Sequence, residues 1–572
     1  MNRRAFNKLA ALAAMSALSR GIELEAEQPL LAAHAAVGSE PEDSSIRLED
    51  DEPVSLRFFG SPVADLFTRE IDESFQGVLK NNFVAKARDG FPAGFISTSP
   101  AGQIWGGTMW TRDGGTFIRE LAMRGYYEHA ALLADCLISM VEKNPEGFYS
   151  FPMFFKGSKP GTVDWPPSMN VKNDLEVPRS GTELDGTTSI IIGMVLLWER
   201  LPDGHPAKKR IREFLFQDAS PVNYLKSQLK TQPLVPGSGE FGCGMGCEGE
   251  WYNVAQNNLV MLSLLAAGDM AEETGSHDVA EEYRHMAAGV RDSMDRYLVD
   301  RDGGWIWCID PKTLKPDLAV NDSEYNRGFG GINGVASMYA DFMGFEPLAS
   351  SWEGIKHCET TFQRLYNTPL RKLEFDRYGM WTQFDLLGGG VTTSPAYGQG
   401  YAIQTMLLYD KLDMADKALS LLANATYKPI PQYQVHRASP YYFYERIYSP
   451  DAVGKLALEE GCGALNLVNV SEPLKVSRLL LGVDDSTREC VRIIPRLPVS
   501  WKGVEAHHWP IRTGNGVVRA DIHFEKKETG AELTLKLAPG QRIDDLKVRM
   551  PSRNGYVWRE QKQASSVHFV AK

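Results

Sequence analysis

The chain has 572 residues, of which 43% are hydrophobic and 23% charged, as in a soluble globular protein of two or more domains or of one large barrel with an appendage. Its formal net charge of -12 argues against a nucleic acid or an anionic membrane as partner, because both require a basic face. Beyond the N-terminus, no segment has 18 consecutive uncharged apolar residues, which argues against membrane insertion.

The N-terminal residues predict an export signal. Residues 1–8 (MNRRAFNK) place paired arginines before a phenylalanine, and residues 9–18 are a short apolar run rich in alanine. This pattern is typical of bacterial twin-arginine signals, with an amphipathic surface helix as the alternative. We therefore expect residues 1–35 to be the signal of a periplasmic or secreted protein. Residues 36–64 are expected to form an N-terminal segment whose acidic part, 40–52, is a solvated linker.

From residue 65 onward, helical patterns come in pairs. One member of each pair is unusually apolar, and the other has a charged face. These patterns predict helices at 66–83, 116–125, 129–141, 187–201, 207–216, 254–274, 278–298, 331–343, 352–366, 400–412, 414–425 and 452–470. Roughly six such hairpins predict a mainly α fold, an (α/α)6 toroid over residues 65–472. Function is expected in the long loops before the apolar inner helices.

Residues 473–572 have a different pattern. Period-two alternation at 491–498, 516–524, 531–537 and 546–550 predicts a small antiparallel β domain that braces the toroid. The seven cysteines are scattered, although Cys243 and Cys247 could pair with each other or with Cys462. Neither zinc-ligand spacing nor a calcium loop is visible, so no metal and no other cofactor is predicted.

Two acids precede the most apolar helix. Glu248 and Glu250 lie among glycines and next to Trp251 and Tyr252, and the helix from residue 254 onward is apolar nearly all round. A carboxylic acid held against an indole and away from bulk water favours its neutral form and can donate a proton near neutral pH. The alternative is that both are first-turn acids that complement the helix dipole.

Aromatic residues recur beside acids, arginine and amides in the loops. Indoles next to such groups can stack on the apolar faces of sugars while the polar groups bind hydroxyls, so a carbohydrate substrate is predicted. For Asp113 and Asp185 a helix N-cap is the alternative role. The predicted substrate-binding residues are Trp110, Arg112, Asp113, Asp185, Trp251, Trp381, Gln399 and Tyr444.

Cleavage of a glycoside requires one carboxylic acid to protonate the leaving oxygen and a second carboxylate across the sugar. If the second activates water, the two stand roughly 6.5–9.5 Å apart and the product is inverted. Glu248 is the predicted acid and Glu445 the predicted base, because the loops of a toroid meet at one mouth. A surface pair with Arg446 is the alternative for Glu445, and Glu459 and Glu460 are further candidates.

Four segments resemble six-hairpin toroid glycosidases. Residues 109–118 (MWTRDGGTFI) resemble the Trp-x-Arg-Asp segment of glucoamylases and of the glucosidase part of glycogen debranching enzymes, where the Arg and Asp bind the terminal sugar. Residues 251–253 resemble a debranching-enzyme segment, and residues 444–451 the late loop with the catalytic base of bacterial glucoamylases. Residues 493–504 resemble the β domain of rhamnosidases. The resemblance implies exo-cleavage of a glycoside, usually with inversion, and we expect the terminal sugar to be α-linked.

The sequence also departs from these enzymes. Glucoamylases have Trp-Glu where this chain has Glu-Gly-Glu-Trp, so the acid could be Glu250 rather than Glu248, and the late loop lacks the usual Glu-Gln or paired Glu. The sugar, the anomer, the linkage and the oligomeric state stay open. The alternative functions on the same fold are a polysaccharide lyase that uses Tyr397, Tyr401 or His436, a sugar phosphorylase, and a catalytically silent glycan-binding protein.

Overall fold

The computed structural model describes residue 48 and residues 51–572, apart from 89–90, 101–105, 157–183, 238–250, 317–329, 348–349, 351, 368–371, 374, 377–391, 394–395, 425–438, 440 and 449–456. At 330–334, 365, 392–393, 444–448 and 457–463 the backbone is described without the side chains. The predicted export signal therefore lies outside the described residues.

The helices, in chain order, are α1 (Pro62–Asn81), α2 (Thr111–Met123), α3 (Tyr127–Met140), α4 (Leu184–Trp198), α5 (Pro206–Phe216), α6 (Pro221–Leu229), α7 (Val254–Glu273), α8 (His277–Tyr297), α9 (Gly330–Met343), α10 (Gly354–Asn367), α11 (Gly398–Leu408), α12 (Leu412–Asn424) and α13 (Leu467–Leu481). None of the described helices is both long and apolar enough to cross a membrane.

Within the described part of the chain, six helices form a closed inner ring. They are α2, α4, α7, α9, α11 and α13; each packs against the next in this order, and α13 packs against α2. Outside them lie α3, α5, α8, α10 and α12, each following the inner helix with which it pairs, and α1 packs outside α13. The predicted (α/α)6 toroid of six helical hairpins is therefore confirmed.

The difference between inner and outer helices follows from their sequences. Every residue of α4 is buried, and its sequence LDGTTSIIIGMVLLW has no polar stripe for solvent. In α8 the buried residues Ala280, Tyr283, Ala287, Val290 and Met294 form one stripe with a spacing of three or four. Burying an Ile, Leu or Val side chain gains roughly 1.5–3 kcal/mol, so a helix that is apolar all round is most stable inside the ring.

The last inner helix differs from its prediction. Residues 452–470 were expected to be helical, but Ala457–Ala464 is a strand and the helix runs over Leu467–Leu481. Gly461 and Gly463 disfavour a helix in the first part. Asn466 then caps the helix by accepting a hydrogen bond from the Val468 amide, and Pro473 is tolerated inside it. This helix crosses position 472, where the sequence suggested the end of the toroid.

The strands, in chain order, are β1 (Ser55–Phe59), β2 (Thr108–Trp110), β3 (Phe154–Lys156), β4 (Tyr252–Asn253), β5 (Cys308–Ile309), β6 (Thr392–Thr393), β7 (Tyr444–Tyr448), β8 (Ala457–Ala464), β9 (Val483–Asp484), β10 (Val491–Ile493), β11 (Gly503–Thr513), β12 (Gly516–Lys527), β13 (Gly530–Leu537), β14 (Ile543–Ser552), β15 (Gly555–Ala564) and β16 (Ser566–Ala571).

Two sheets form the C-terminal β domain. Their strand orders are β1-β11-β12-β13-β16 and β15-β14-β10-β9. The described pairings are antiparallel as predicted, except that β10 pairs with β14 in parallel. The strand β1 precedes the toroid in the chain but belongs to this domain, with Ser55 opposite His507.

The acidic segment before β1 is not solvated throughout, contrary to the prediction for 40–52. Asp51 is buried, contacts His129 Nδ1 through its Oδ2, and accepts a hydrogen bond from the Glu128 amide at 2.9 Å through its Oδ1. Glu128 lies in the first turn of α3, where unpaired amides and the helix dipole stabilise a carboxylate. A negative charge at residue 51 therefore anchors the chain to the toroid.

The β domain covers the C-terminal ends of the inner helices through ion pairs. Arg512 Nη1 lies 2.6 Å from Glu199 Oε1, just after α4, and Arg549 Nη1 lies 2.8 Å from Asp410 Oδ2, just after α11. Arginine is favoured at helix C-terminal ends, where the dipole is negative. The other pairs at this end are Arg488 with Glu273, Arg492 with Glu346 and Asp484, and Arg200 with Asp485.

A network of buried charges crosses the centre of the ring. Arg478 Nη2 lies 2.8 Å from Glu120 Oε1 and 3.2 Å from Asp341 Oδ1. Lys475 also contacts Asp341, and Arg119 Nε lies 2.9 Å from Glu120 Oε1. Burial alone would raise the pKa of Asp341, but the charges of Lys475, Arg119 and Arg478 hold it well below its usual value. The network links α2, α9 and α13.

Arg478→Met tests how much this network contributes to the stability of the fold. Without the guanidinium, Glu120 and Asp341 keep their charges in a dry interior with less compensation, so we expect the free energy of unfolding to fall by about 3–5 kcal/mol. Chemical denaturation followed by circular dichroism measures the change. The control Arg284→Met removes exposed contacts to Asp269 and Glu272 and should cost at most about 1 kcal/mol. Equal losses in the two variants would contradict this assignment.

Glu70 on α1 gives the toroid a pH dependence. Its side chain is buried, and neither carboxyl oxygen has a hydrogen-bond partner within the described residues. Burial raises the pKa of Glu70 well above its usual 4.5. Between 4.5 and the folded-state pKa, the folded chain therefore keeps a proton that the unfolded chain releases. As the pH rises across that window, the contribution of Glu70 to the free energy of unfolding falls by about 1.4 kcal/mol per pH unit.

We expect Glu70→Gln to be more stable than the wild type at pH 7, with a smaller difference at pH 5, because the amide removes this proton linkage. Denaturant titrations at pH 5, 6 and 7 measure the two slopes. Glu281→Gln, an exchange at an exposed position of α8, is the control and should leave the wild-type slope unchanged. A Glu70→Gln protein that follows the wild-type pH dependence would rule out a neutral Glu70.

Candidate functional site

The inner helices begin at the end of the toroid opposite the β domain. At this end Arg112 of α2 meets Asp185 of α4, and its guanidinium lies 5.5 Å from the ring centre of Tyr397, which precedes α11. The Leu467 amide at the start of α13 donates to the Thr98 carbonyl at 2.9 Å, on the segment before β2. We call this end, formed by the N-terminal ends of the inner helices, the mouth.

Arg112, Asp113 and Asp185 form a buried ion-pair cluster at the mouth. Arg112 Nε lies 3.2 Å from Asp113 Oδ1, and Arg112 Nη1 lies 3.6 Å from Asp185 Oδ2. The three side chains are 5%, 3% and 0% exposed. Both carboxylates lie in the first turn of their helices, where the positive end of the dipole favours them. Two carboxylates around one guanidinium form a negatively charged group of hydrogen-bond acceptors.

The close approach of α2 and α4 requires glycine. A Cβ atom at Gly186 would lie 2.2 Å from Thr111 Oγ1 and 3.4 Å from the Arg112 amide nitrogen. Thr111 is itself held by its hydroxyl, which donates to the Pro152 carbonyl at 2.6 Å. Gly186 therefore lets the first turns of the two helices touch, and this contact brings Asp185 to Arg112.

Neither Asp113 nor Asp185 occupies the N-cap position that was its alternative role. Trp110 occupies the N-cap position of α2, and Asp113 lies inside the first turn. The helix α4 begins at Leu184, so Asp185 is also inside its first turn, where its Oδ1 accepts from the Gly186 amide at 3.1 Å.

The other predicted binding residues of the described chain lie near the starts of inner helices. Trp110 is half-buried, with its ring 5.6 Å from that of Phe154. Trp251 is also half-buried, and its backbone pairs with Gly237 three residues before α7 begins. Gln399 is buried in the first turn of α11.

Several predicted residues fall where the structure gives no side chain. Glu248, Glu250, Trp381, His436, Cys243 and Cys247 lie outside the described residues. For Tyr444, Glu445, Glu459, Glu460 and Cys462 only the backbone is described. The roles of the proposed acid and base therefore stay predictions.

Solved structures share this architecture. An α-L-rhamnosidase from Aspergillus terreus aligns with a TM-score of 0.54 and 12% identity over 92% of this chain and 51% of its own. An α-L-rhamnosidase from Dictyoglumus thermophilum aligns with a TM-score of 0.51 and 11% identity over 91% of this chain and 51% of its own. A glucoamylase from Saccharomycopsis fibuligera aligns with a TM-score of 0.50 and 11% identity over 74% of this chain and 96% of its own.

The chain has the fold of these toroid glycosidases. It spans about half the length of the two rhamnosidases. No protein-family model matches the sequence, and no characterised protein is significantly similar to it. At 11–12% identity the likeness establishes the fold, and the function depends on the residues at the mouth.

Charged residues that the sequence did not single out lie beneath the mouth. Arg119 and Glu120 follow the Arg112–Asp113 pair by two turns of α2, and Asp341 and Lys475 meet them from α9 and α13. Each is a charged residue inside an otherwise apolar inner helix. A buried charge must be paired, so charged residues inside apolar helices were the sequence signal that could have predicted this network.

Gly186→Ala tests the contact that positions Arg112. The added methyl overlaps Thr111 Oγ1, so the helices must separate, and we expect the free energy of unfolding to fall by about 1–3 kcal/mol. Thermal and chemical denaturation measure it. At Gly289, exposed within α8, a Cβ atom would meet nothing within 4 Å, so Gly289→Ala should instead stabilise the protein by about 0.5–1 kcal/mol. Similar gains in both variants would contradict the close-packing argument.

Proposed function

We propose that the protein is an exported bacterial glycoside hydrolase that removes a terminal, α-linked sugar with inversion, and that the mouth of the toroid binds this sugar. The observation that carries the proposal is the buried cluster of Arg112, Asp113 and Asp185, where the starts of the inner helices α2 and α4 meet. The paired arginines near the N-terminus support export to the periplasm or the medium.

The cluster suits a neutral polyhydroxy ligand. A carboxylate accepts up to about four hydrogen bonds, and a guanidinium donates up to about five, so together they can bind neighbouring hydroxyl groups with defined direction. The half-buried Trp110 and Trp251 supply ring surfaces of the kind that pack on sugars. Hydrogen bonds to charged groups are worth roughly 1.5–3 kcal/mol, which favours one orientation of the sugar.

Glu445 is the proposed general base, and its backbone position supports this role. Tyr444 pairs with Ala464, two residues before the N-cap of α13, so this part of β7 lies at the mouth. The register between β7 and β8 shifts between Tyr444 and Arg446, so that Glu445 lies opposite the extra residues 460–463 of an irregularity in β8. Bulges are frequent next to active sites. Glu459 pairs further along, opposite Arg446, and Glu460 lies within the irregular part of β8.

Glu248 is the proposed general acid, with Glu250 as the alternate. The segment that contains both leaves the described chain after Gly237 and returns at Trp251, and these two residues pair with each other. Both ends of this segment are therefore fixed at the start of α7, which is at the mouth.

The decisive experiment is hydrolysis of p-nitrophenyl α- and β-glycosides of glucose, rhamnose, galactose, fucose and glucuronate. NMR of the first-formed anomer reports inversion or retention. We expect Glu248→Gln and Glu445→Gln to lower kcat by at least about 100-fold, because a general acid or base contributes roughly that much or more. Glu250→Gln and Glu460→Gln test the alternates. Glu281→Gln, exposed on an outer helix, is the matched control.

Asp113→Asn should mainly raise KM for the same glycoside, because it alters binding of the terminal sugar rather than the proton transfers. Absence of hydrolysis together with a rise in absorbance at 235 nm on uronate polysaccharides would replace the proposal by a lyase. Binding of glycans without turnover, unchanged by Glu248→Gln and Glu445→Gln, would replace it by a glycan-binding protein.

A further inference from the structure

An open groove follows the outer helix α12, where this helix meets the β domain. Its volume is about 560 Å³, within the range of roughly 300–1,000 Å³ that is common for ligand sites. From Asp413 to Asn424 the helix rises by about 16 Å, which is the length of a short oligosaccharide rather than of a single sugar. The polar side chains that line the groove are Asp413, Asp416, Lys417, Ser420 and Asn424 of α12 and Ser500 of the loop before β11.

The wall of this groove suits hydroxyl groups. Carboxylates accept hydrogen bonds, an ammonium donates them, and hydroxyl and amide groups do both, as the hydroxyls of a sugar require. One side of the groove is fixed, because Asp416 accepts from the Ser500 amide at 2.8 Å and from the Ser500 hydroxyl at 2.6 Å. Lys417 contacts the Asp376 carbonyl with one of its three N–H groups. Two carboxylates beside one ammonium favour a neutral ligand over an anionic one.

Two exposed aromatic rings lie on the strand β15. Tyr556 and Trp558 are 43% and 39% exposed, and within the described part of the chain no other Phe, Tyr or Trp reaches this exposure. One residue separates them on the strand, so both side chains lie on the same face of the sheet, about 7 Å apart. Neighbouring ring faces in contact with water are typical of a binding surface rather than of a scattered apolar residue.

Arg549 connects these rings with the start of α12. Its guanidinium lies 4.3 Å from the centre of the Tyr556 ring, and Trp558 is its partner across the strands. Its Nη1 lies 2.8 Å from Asp410 Oδ2, just before α12 begins. Burial and the Asp410 carboxylate raise the pKa of Tyr556, as expected for a ring close to that carboxylate. The rings and the groove are therefore neighbours, and the ion pair holds the Tyr556 ring in place.

The residues around the rings argue against a protein partner. The strand β15 is an edge of its sheet, which another chain could extend, but it carries the exposed charged residues Arg559, Glu560 and Lys562. Charged side chains on an edge strand oppose strand addition, and stable protein interfaces have few charged residues at their centre. A sugar requires only a ring face with hydrogen-bonding groups beside it.

We propose that the rings of Tyr556 and Trp558, together with the groove along α12, form a second carbohydrate-binding site, which holds a neutral polysaccharide chain. Because only residues 409–411 connect α11 and α12, the two helices are antiparallel, and α12 runs from the β domain back towards the mouth end. A polysaccharide bound along it would keep its chain ends close to the mouth. The inference rests on carbohydrate as the substrate class of the proposed function, and not on catalysis.

Affinity electrophoresis of the full chain in native gels tests this site, with dextran, pullulan, arabinogalactan, arabinoxylan and galactomannan as probes. We expect at least one of them to retard the protein. Trp558→Ala should weaken this binding by about 10-fold or more, because the stacking surface is lost, whereas Trp558→Phe keeps a ring and should retain most of it. Asp413→Ala, which removes an acceptor from the groove, should also weaken it. Leu314→Ala removes an exposed apolar side chain after β5, at the mouth end, and is the control that should bind as the wild type does.

Hydrolysis of the p-nitrophenyl glycoside separates this site from the mouth. We expect unchanged kcat and KM in Trp558→Ala, because a small glycoside occupies the mouth alone. Hydrolysis without retardation by any of the five polysaccharides, or retardation that Trp558→Ala leaves unchanged, would overturn the second site and leave the proposed function standing. Retardation that depends on Trp558 without any hydrolysis would support the second site and refute the catalytic proposal. A dimer that Trp558→Ala converts into a monomer, measured by light scattering, would make this surface a protein interface and overturn the site.

Discussion

The buried charges of α2, α9 and α13 constrain the rest of the toroid. Hydrophobic contacts between apolar helices are non-directional, so they hold the ring together without fixing how far each helix slides along its neighbour. An uncompensated buried charge costs several kcal/mol, so Arg478 must meet Glu120 and Asp341, and Lys475 must meet Asp341. These pairs fix the register of three inner helices, and Arg112 lies at the start of one of them.

The helix dipole explains why the two ends of the toroid differ in the charged groups that they bind. Arginines of the β domain meet carboxylates at the C-terminal ends of the inner helices, as Arg512 does with Glu199 and Arg549 with Asp410. This domain closes that end. The N-terminal ends, whose dipoles favour carboxylates, carry Asp113 and Asp185 and remain for a ligand. The proposed sugar site is therefore opposite the bracing domain.

Much of the fold was predictable because local patterns decide it. All-round apolar segments such as α4 became inner helices, and striped segments such as α8 became outer helices. Two predictions, the end of the toroid and the solvation of Asp51, were wrong because tertiary contacts overrode the local sequence signal. The sequence suggested that the toroid ends at residue 472, but Pro473 lies inside α13, whose burial among other helices outweighs the lost hydrogen bond. Asp51 looked solvated but is buried against His129, a partner far away in sequence.

The sequence by itself determined which of the first five inner helices and their outer partners are apolar or striped, the change to β structure, and the candidate pair Arg112–Asp113, because neighbouring residues and periodicity suffice for these. Only the tertiary structure decided which distant charges meet. Asp185 joins Arg112 because Gly186 lets two helices touch, and Lys475 pairs with Asp341 although they are 134 positions apart. Closure of the ring sets these partners, since a charge in a dry interior is stable only beside one of opposite sign, wherever the chain supplies it.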